Sequence, residues 1–131
     1  MLISLAATFA TAPKTQAQNT LDEAGLGAGT TASAAYSVRR LSSSYAGSAL
    51  QVRRSSDNAA KDIGFTAGGD LDSATLKTFA GGNSAYVSAW YDQSGHGLNL
   101  TEATAGDQPR LDNAGVIDRE NARPFIRFSG P

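Results

Sequence analysis

Cysteine is absent from all 131 residues, so neither disulfides nor thiolate metal ligands are available to this chain. Histidine occurs once, at His96, which excludes a multi-histidine metal centre and leaves any hydrolytic triad dependent on that single ring. Charge is scarce: 18% of the residues are Asp, Glu, Lys or Arg, and 11 basic against 12 acidic residues leave a formal net charge of −1. Nothing in that balance recruits nucleic acid or an anionic membrane. No apolar run is long enough to cross a bilayer. The strong helix formers Leu, Glu and Lys are sparse while glycine occurs 14 times, which favours strands and turns over helices. The length bounds the chain to one domain at most, large enough for a real core.

What is present begins with an ambiguous leader. Met1 to Ala10 is apolar and is followed by small residues, as in a signal peptide, but no basic residue precedes the apolar stretch and Lys14 lies on its far side. Residues 1–24 are therefore expected to form an extended N-terminal arm that docks onto neighbouring subunits, the alternative being an unprocessed leader. Gly25-Leu-Gly-Ala-Gly29 joins arm to body, and it lacks the lysine and Ser/Thr of a phosphate loop.

The body, residues 25–131, reads as short strands separated by turns. Ala34, Ala35, Val38 and Leu41 recur at three- and four-residue spacings and predict a short helix over 32–41. Leu50–Arg54 alternates as a strand, Ser55–Asn58 is a turn, and Asp62–Phe65 is a second strand. Asp72 is placed to cap a short helix with Leu71 stapled onto Leu76, and Gly81-Gly82 ends it. Further strands are expected around 98–101, 110–111, 116–118 and 125–128. The pattern is that of a mainly β protein with two short helices, a β-sandwich or jelly roll. The run 125–130 enters a turn just before Pro131, which invites continuation of the domain beyond it.

The densest cluster of functional side chains follows the alternating strand Tyr86–Tyr91: Asp92, Gln93, Ser94, His96 and Asn99. Trp90, Tyr91, Asp92, Gln93 and His96 could contact a carbohydrate; equally, Asp92 and Ser94 could form an Asx-type turn that bonds its own backbone. One certain carboxylate makes a poor calcium loop. Ser94 and His96 lie too near in sequence to expect them to face each other as nucleophile and base. A glycosidase needs two carboxyl groups about 5–9.5 Å apart. Asp57, Asp62, Asp70, Asp72, Asp92, Glu102, Asp107, Asp112, Asp118 and Glu120 are available, yet spacing singles out no pair. The doublets Arg39-Arg40 and Arg53-Arg54 suit internal ion pairs with Asp57 or Asp62 better than nucleic acid. Asn99-Leu100-Thr101 matches a glycosylation sequon, which matters only in a secreted eukaryotic protein.

Four motifs in order, Ala35–Gly47, Val52-Arg-Arg-Ser-Ser-Asp57, Asp62-Ile-Gly-Phe65 and Trp90-Tyr-Asp-Gln-Ser-Gly95, resemble the N-terminal part of the catalytic domain of α-L-arabinofuranosidase B, the family 54 glycoside hydrolases. The same motifs, over roughly residues 21 to 130, resemble concanavalin A-like modules of tailed-bacteriophage tail-fibre and virion proteins. The phage modules share the Arg-Arg-Ser-Ser-Asp wording and lack cysteine, so their resemblance is the stronger. The resemblance implies a concanavalin A-like β-sandwich, leading part of a longer domain. It transfers no catalytic residue, because the enzymes' nucleophile and acid carboxylates lie further along their chains. The expectation is therefore a non-enzymatic structural or adhesion module of a phage-like virion: a tail fibre, head fibre or decoration protein. Such a module would be made in the host cytoplasm and assembled with other virion subunits as a homo-oligomer, facing a cell-surface glycan. It would use no cofactor, metal, nucleic acid or membrane. Two alternatives remain: a fragment of an arabinofuranosidase-like hydrolase, and a carbohydrate-binding module; either would be secreted.

Overall fold

A computed structural model describes residues 19–26 and 32–129. The largest element of the described residues is one antiparallel sheet. Its strands are β1 (Leu50–Arg54), β2 (Ala60–Ile63), β3 (Ala85–Trp90), β4 (Leu100–Thr101), β5 (Arg110–Asn113) and β6 (Val116–Ile117). They run in the order β2-β1-β3-β5-β6, with β4 paired to the end of β3 beside β5. A separate hairpin joins β7 (Arg119–Glu120) to β8 (Arg123–Pro124). Two helices, α1 (Thr20–Glu23) and α2 (Ser73–Ala80), complete the described elements. The sheet is open, as one layer of a β-sandwich would be.

Alternation decides which face is dry. Ala85, Val87 and Ala89 of β3 are buried, while Tyr86, Ser88 and Trp90 between them are only half-buried. Leu50, Val52 and Ile63 fall on the same face by register, since Val52 pairs Val87 and Leu50 pairs Ile63. Leu71, Leu76 and Ala80 cover that face from the α2 side and, with Leu111 and Ile117, close the core. The helix forms where its caps dictate. The Asp72 carboxylate accepts the Thr75 amide at 3.0 Å, and Gly81 ends the helix in the left-handed region at φ 57°, its N–H bonded to Lys77 O. Leu71 and Leu76 both enter the core as the staple requires.

Two elements expected from the sequence are corrected. Residues 32–41 form no helix; they run extended, touching Asp70 through a single bridge at Arg39. Their backbone groups are taken elsewhere: the Arg40 amide by Gly69 O at 2.8 Å, the Arg39 amide by Ser37 Oγ at 3.0 Å, and others by the turn after β3. Those tertiary partners override an apolar spacing that local propensity alone would read as helical. Residues 125–128 are likewise no strand, being tied to β5 by one bridge, Arg110 to Arg127, after the β7–β8 hairpin has turned the chain. The second short helix is α1 instead. The expected arm is described only from Asn19, residues 1–18 lying outside the described residues. From Asn19 on it is attached to the body: the Leu21 amide bonds Leu41 O at 2.8 Å, and Asp22 accepts the Ser43 amide and the Ser42 hydroxyl. Of the Gly25–Gly29 joint, Gly27 to Gly29 also fall outside the described residues.

Candidate functional site

Strand β3 delivers Trp90 to its end, and after the half-buried Tyr91 the next two side chains turn into the protein. Asp92 and Gln93 are each only 3% exposed. The Asp92 carboxylate is saturated: Oδ1 accepts the Ala35 and Ser94 amides, both at 2.8 Å, and Oδ2 accepts the Ser94 hydroxyl at 2.7 Å and the Leu98 amide at 3.1 Å. Burial alone would raise its pKa, but the Ser94 hydroxyl and the three amides outweigh burial and hold it at about 2. Gln93 works the same way across the chain. Its Oε1 accepts the Leu41 amide at 2.8 Å, while Nε2 donates to Ser37 O at 3.0 Å and Arg39 O at 2.9 Å. The Gln93 amide closes the clasp on Ala35 O at 2.7 Å. The Asx-type turn is thus the structural fact at Asp92, whose carboxylate serves that turn and the Ala35 amide, while the Gln93 side chain is spent on residues 37–41.

Trp90 is half-buried, its ring 6.0 Å from that of Tyr36 and packed on the core. Its Nε1–H is buried with no partner among the described residues. Tyr36 in turn donates its hydroxyl to Leu98 O. His96 is exposed on the turn, with Nδ1 3.0 Å from Ser94 Oγ. The structure therefore does bring Ser94 and His96 together, contrary to the sequence argument. The order of contacts is nevertheless wrong for a triad. The Ser94 proton goes to Asp92, and a triad carboxylate belongs on the far imidazole nitrogen. Asp92, bonded to three amides and the Ser94 hydroxyl, holds the loop.

Other carboxylates are similarly engaged. Asp118 is gripped by Arg110 at 2.8 Å and Arg127 at 3.3 Å, which keeps it below the ordinary carboxylate range. Asp57 pairs with Arg54 at 2.6 Å, as the basic doublet suggested, and is held at about 2 by that hydrogen bond. Asp72 caps α2. Asp112 is fully buried, and burial raises its pKa; one oxygen takes the Gly115 amide at 2.6 Å and the other has no partner among the described residues. No group of three or more His, Asp or Glu residues among the described residues is arranged to hold a metal ion.

Two depressions flank the turn. One is apolar and open, lined by Trp90, Leu100, Pro109 and Phe128 on the sheet. The other is a polar groove between Tyr45 and Tyr91, lined also by Asp62, Gly95, Gly97 and Asn99. Sequence reasoning proposed Tyr91 for sugar contact but not Tyr45 or Asp62, which come from segments distant in sequence and entered only as parts of other motifs.

The chain matches the family model described as "Alpha-L-arabinofuranosidase B, catalytic" over residues 25–124. It is 44% identical over 80 residues to the "Probable alpha-L-arabinofuranosidase B" of Aspergillus fumigatus and 41% identical over 80 residues to the α-L-arabinofuranosidase B of Aspergillus oryzae. Each match covers 60% of this chain but only 16% of the relative. An arabinofuranosidase solved with arabinofuranosyl-α-1,2-xylobiose superposes with a TM-score of 0.51 at 30% identity, over 71% of this chain and 22% of that one. A family 54 α-L-arabinofuranosidase variant soaked with 4-nitrophenyl α-L-arabinofuranoside gives 0.50 at 31% identity, over 65% and 18%.

These matches correct the expectation of a phage-like virion module, together with its siting in a virion. The preference for the phage modules rested on the Arg-Arg-Ser-Ser-Asp wording and the lack of cysteine, and in the structure that wording has a local job. Arg54 and Asp57 clamp a β-turn, a job tied to the fold and indifferent to what the fold serves. With its family model matched over residues 25–124, the chain belongs to the family of the α-L-arabinofuranosidase B catalytic domain.

Proposed function

We propose that this chain is a scaffold portion of an α-L-arabinofuranosidase-type glycoside hydrolase domain, contributing one layer of a concanavalin A-like β-sandwich and not the catalytic carboxylates. The observation that carries the reading is the family match across residues 25–124. It is supported by the open sheet, whose apolar depression between Trp90 and Phe128 and exposed Leu98 and Leu100 suit a facing layer. The carboxylates described above support the second half of the proposal. Asp57, Asp72, Asp92 and Asp118 are each committed to an ion pair, a cap or a turn, and Asp112 is sealed from solvent. Substrate recognition would then be that of an arabinofuranoside-cleaving enzyme, placed outside the cell.

A chimera tests this. Residues 25–124 replace the matching segment of the Aspergillus oryzae relative, and release of 4-nitrophenol from 4-nitrophenyl α-L-arabinofuranoside is followed. The chimera is expected to hydrolyse the substrate, and the isolated chain is not. A chimera that folds cooperatively yet releases no 4-nitrophenol would refute the scaffold reading, and turnover by the isolated chain would refute the placement of the carboxylates.

A further inference from the structure

We propose that the groove between Tyr45 and Tyr91 is a non-catalytic binding site for a neutral oligosaccharide. This goes beyond the hydrolase reading and stands without it. The groove, of about 380 Å³, is open along its length, as a site for part of a longer chain must be.

Both rings are fixed before any ligand arrives. Tyr91 Oη donates to Asp62 Oδ1 at 2.7 Å, and the same oxygen accepts Gln51 Nε2 at 3.1 Å. Tyr45 Oη donates to Ser48 O at 2.9 Å, its ring meeting Phe65 edge-on at 6.3 Å. A ring held in one rotamer loses little entropy when a sugar face settles on it. Burial, then the Asp62 hydrogen bond and charge, push the Tyr91 hydroxyl up to about 12, so it stays a protonated donor throughout the neutral range.

The polar atoms left over are the pair that reads a diol. Asn99 Oδ1 accepts the Asp92 amide at 3.0 Å, which orients its Nδ2. Among the described residues no hydrogen bond uses Asn99 Nδ2 or Asp62 Oδ2. A fixed amide donor and a carboxylate acceptor can each take one hydroxyl of a sugar, and hydrogen bonds to a charged acceptor are the stronger kind. Gly95 and Gly97 leave one side without side chains: at φ +93° and +72° they occupy the left-handed region, and nothing lies within 4 Å of where a Cβ would be. Charge selects the ligand class. Asp62 and Asp92 line the groove and no Lys, Arg or His does, so a uronate or phosphate would meet like charge. A neutral sugar would not.

The test titrates the intact 131-residue chain with xylohexaose, cellohexaose and trigalacturonate, read by calorimetry and by tyrosine-ring NMR shifts. Saturable millimolar binding of at least one neutral hexaose, with shifts at Tyr45 and Tyr91 and none from trigalacturonate, is expected. Tyr91→Ala should weaken binding by about tenfold or more. Asn99→Asp keeps the oxygen that accepts the Asp92 amide but replaces the donor with a third negative charge, and should abolish binding. It decides the matter if Tyr91→Ala does not fold. Absence of saturable binding by both neutral hexaoses, equal binding of trigalacturonate, or binding unchanged in folded Asn99→Asp would each overturn the proposal. The chimera reads hydrolysis and this titration reads binding to the isolated chain, so either can fail alone.

Discussion

Replacing Asp92 is the sharpest perturbation the structure offers, because one buried carboxylate serves three backbone amides and a hydroxyl. Asp92→Ala removes the acceptor from the amides of Ala35, Ser94 and Leu98. Ala35 is itself buried, at 8% exposure, so its amide has no ready route to water; those of Ser94 and Leu98 lie nearer the surface and recover in part. At about 1–3 kcal/mol for each buried donor left unpaired, the expected loss is about 3–4 kcal/mol, a large share of the roughly 5–15 kcal/mol that holds a domain. Asp92→Asn keeps one oxygen for Ala35 and Ser94 but turns an amide donor toward the Leu98 amide, and about 2 kcal/mol should go. The assay is urea unfolding followed by fluorescence of Trp90, the only tryptophan, which sits two residues from the change. The acid limb gives a second readout. A carboxyl held at about 2, below its ordinary 3.8, stabilises the fold above the ordinary value, and that contribution is lost as pH falls through the lower one. Wild-type stability should therefore fall between about pH 4 and pH 2, and Asp92→Asn should flatten that fall. If both variants unfold within about 0.5 kcal/mol of wild type, the clasp is not what holds residues 35–41, and the reasoning fails.

Two further substitutions probe the β5–β6 corner. Gly115 sits at φ +86° with the Gly82 Cα 3.1 Å from where a Cβ would stand. Gly115→Ala should cost about 1–3 kcal/mol by thermal unfolding, and an unchanged melting temperature would show that the two backbones can part freely. Asp112 carries the opposite pH sign to Asp92. Burial raises its folded pKa, so ionisation favours the unfolded chain, with a penalty absent below the ordinary carboxylate range and complete above the folded value. Asp112→Asn should then raise the urea midpoint at neutral pH, with the gain shrinking on acidification; a gain independent of pH would reassign it to packing.

Period and turn chemistry made much of the sheet legible. Leu50–Arg54 and Tyr86–Tyr91 announce themselves by alternation, and the register places Val52 beside Val87 on the dry face. Asp72 and Gly81 mark the ends of α2 because each residue has a local physical task there. The failure at 32–41 has the converse cause. Ala34, Ala35, Val38 and Leu41 keep helical spacing, but the partners that forbid a helix, Asp92 and Gln93, stand more than fifty residues away. The candidate site was half visible for the same reason. The Asp92 turn is local and was readable, whereas the groove needs Tyr45, Asp62 and Asn99 brought together by the pairing of β1 with β2 and β3. The functional misreading came in part from taking the Arg-Arg-Ser-Ser-Asp wording as the mark of one family of users, when Arg54 and Asp57 close a turn and Arg54 ties it to Phe79.

The clasp also determines what a solvent-exchange measurement would report. Ala35 and Leu41 belong to no strand ladder, yet their amide protons point at side-chain oxygens of Asp92 and Gln93, across 57 and 52 residues of chain. Their protection follows the opening of that distant turn and not the fraying of their own segment. Ala35 and Leu41 are thus expected to exchange with the end of β3, so that a loop by geometry opens with the sheet.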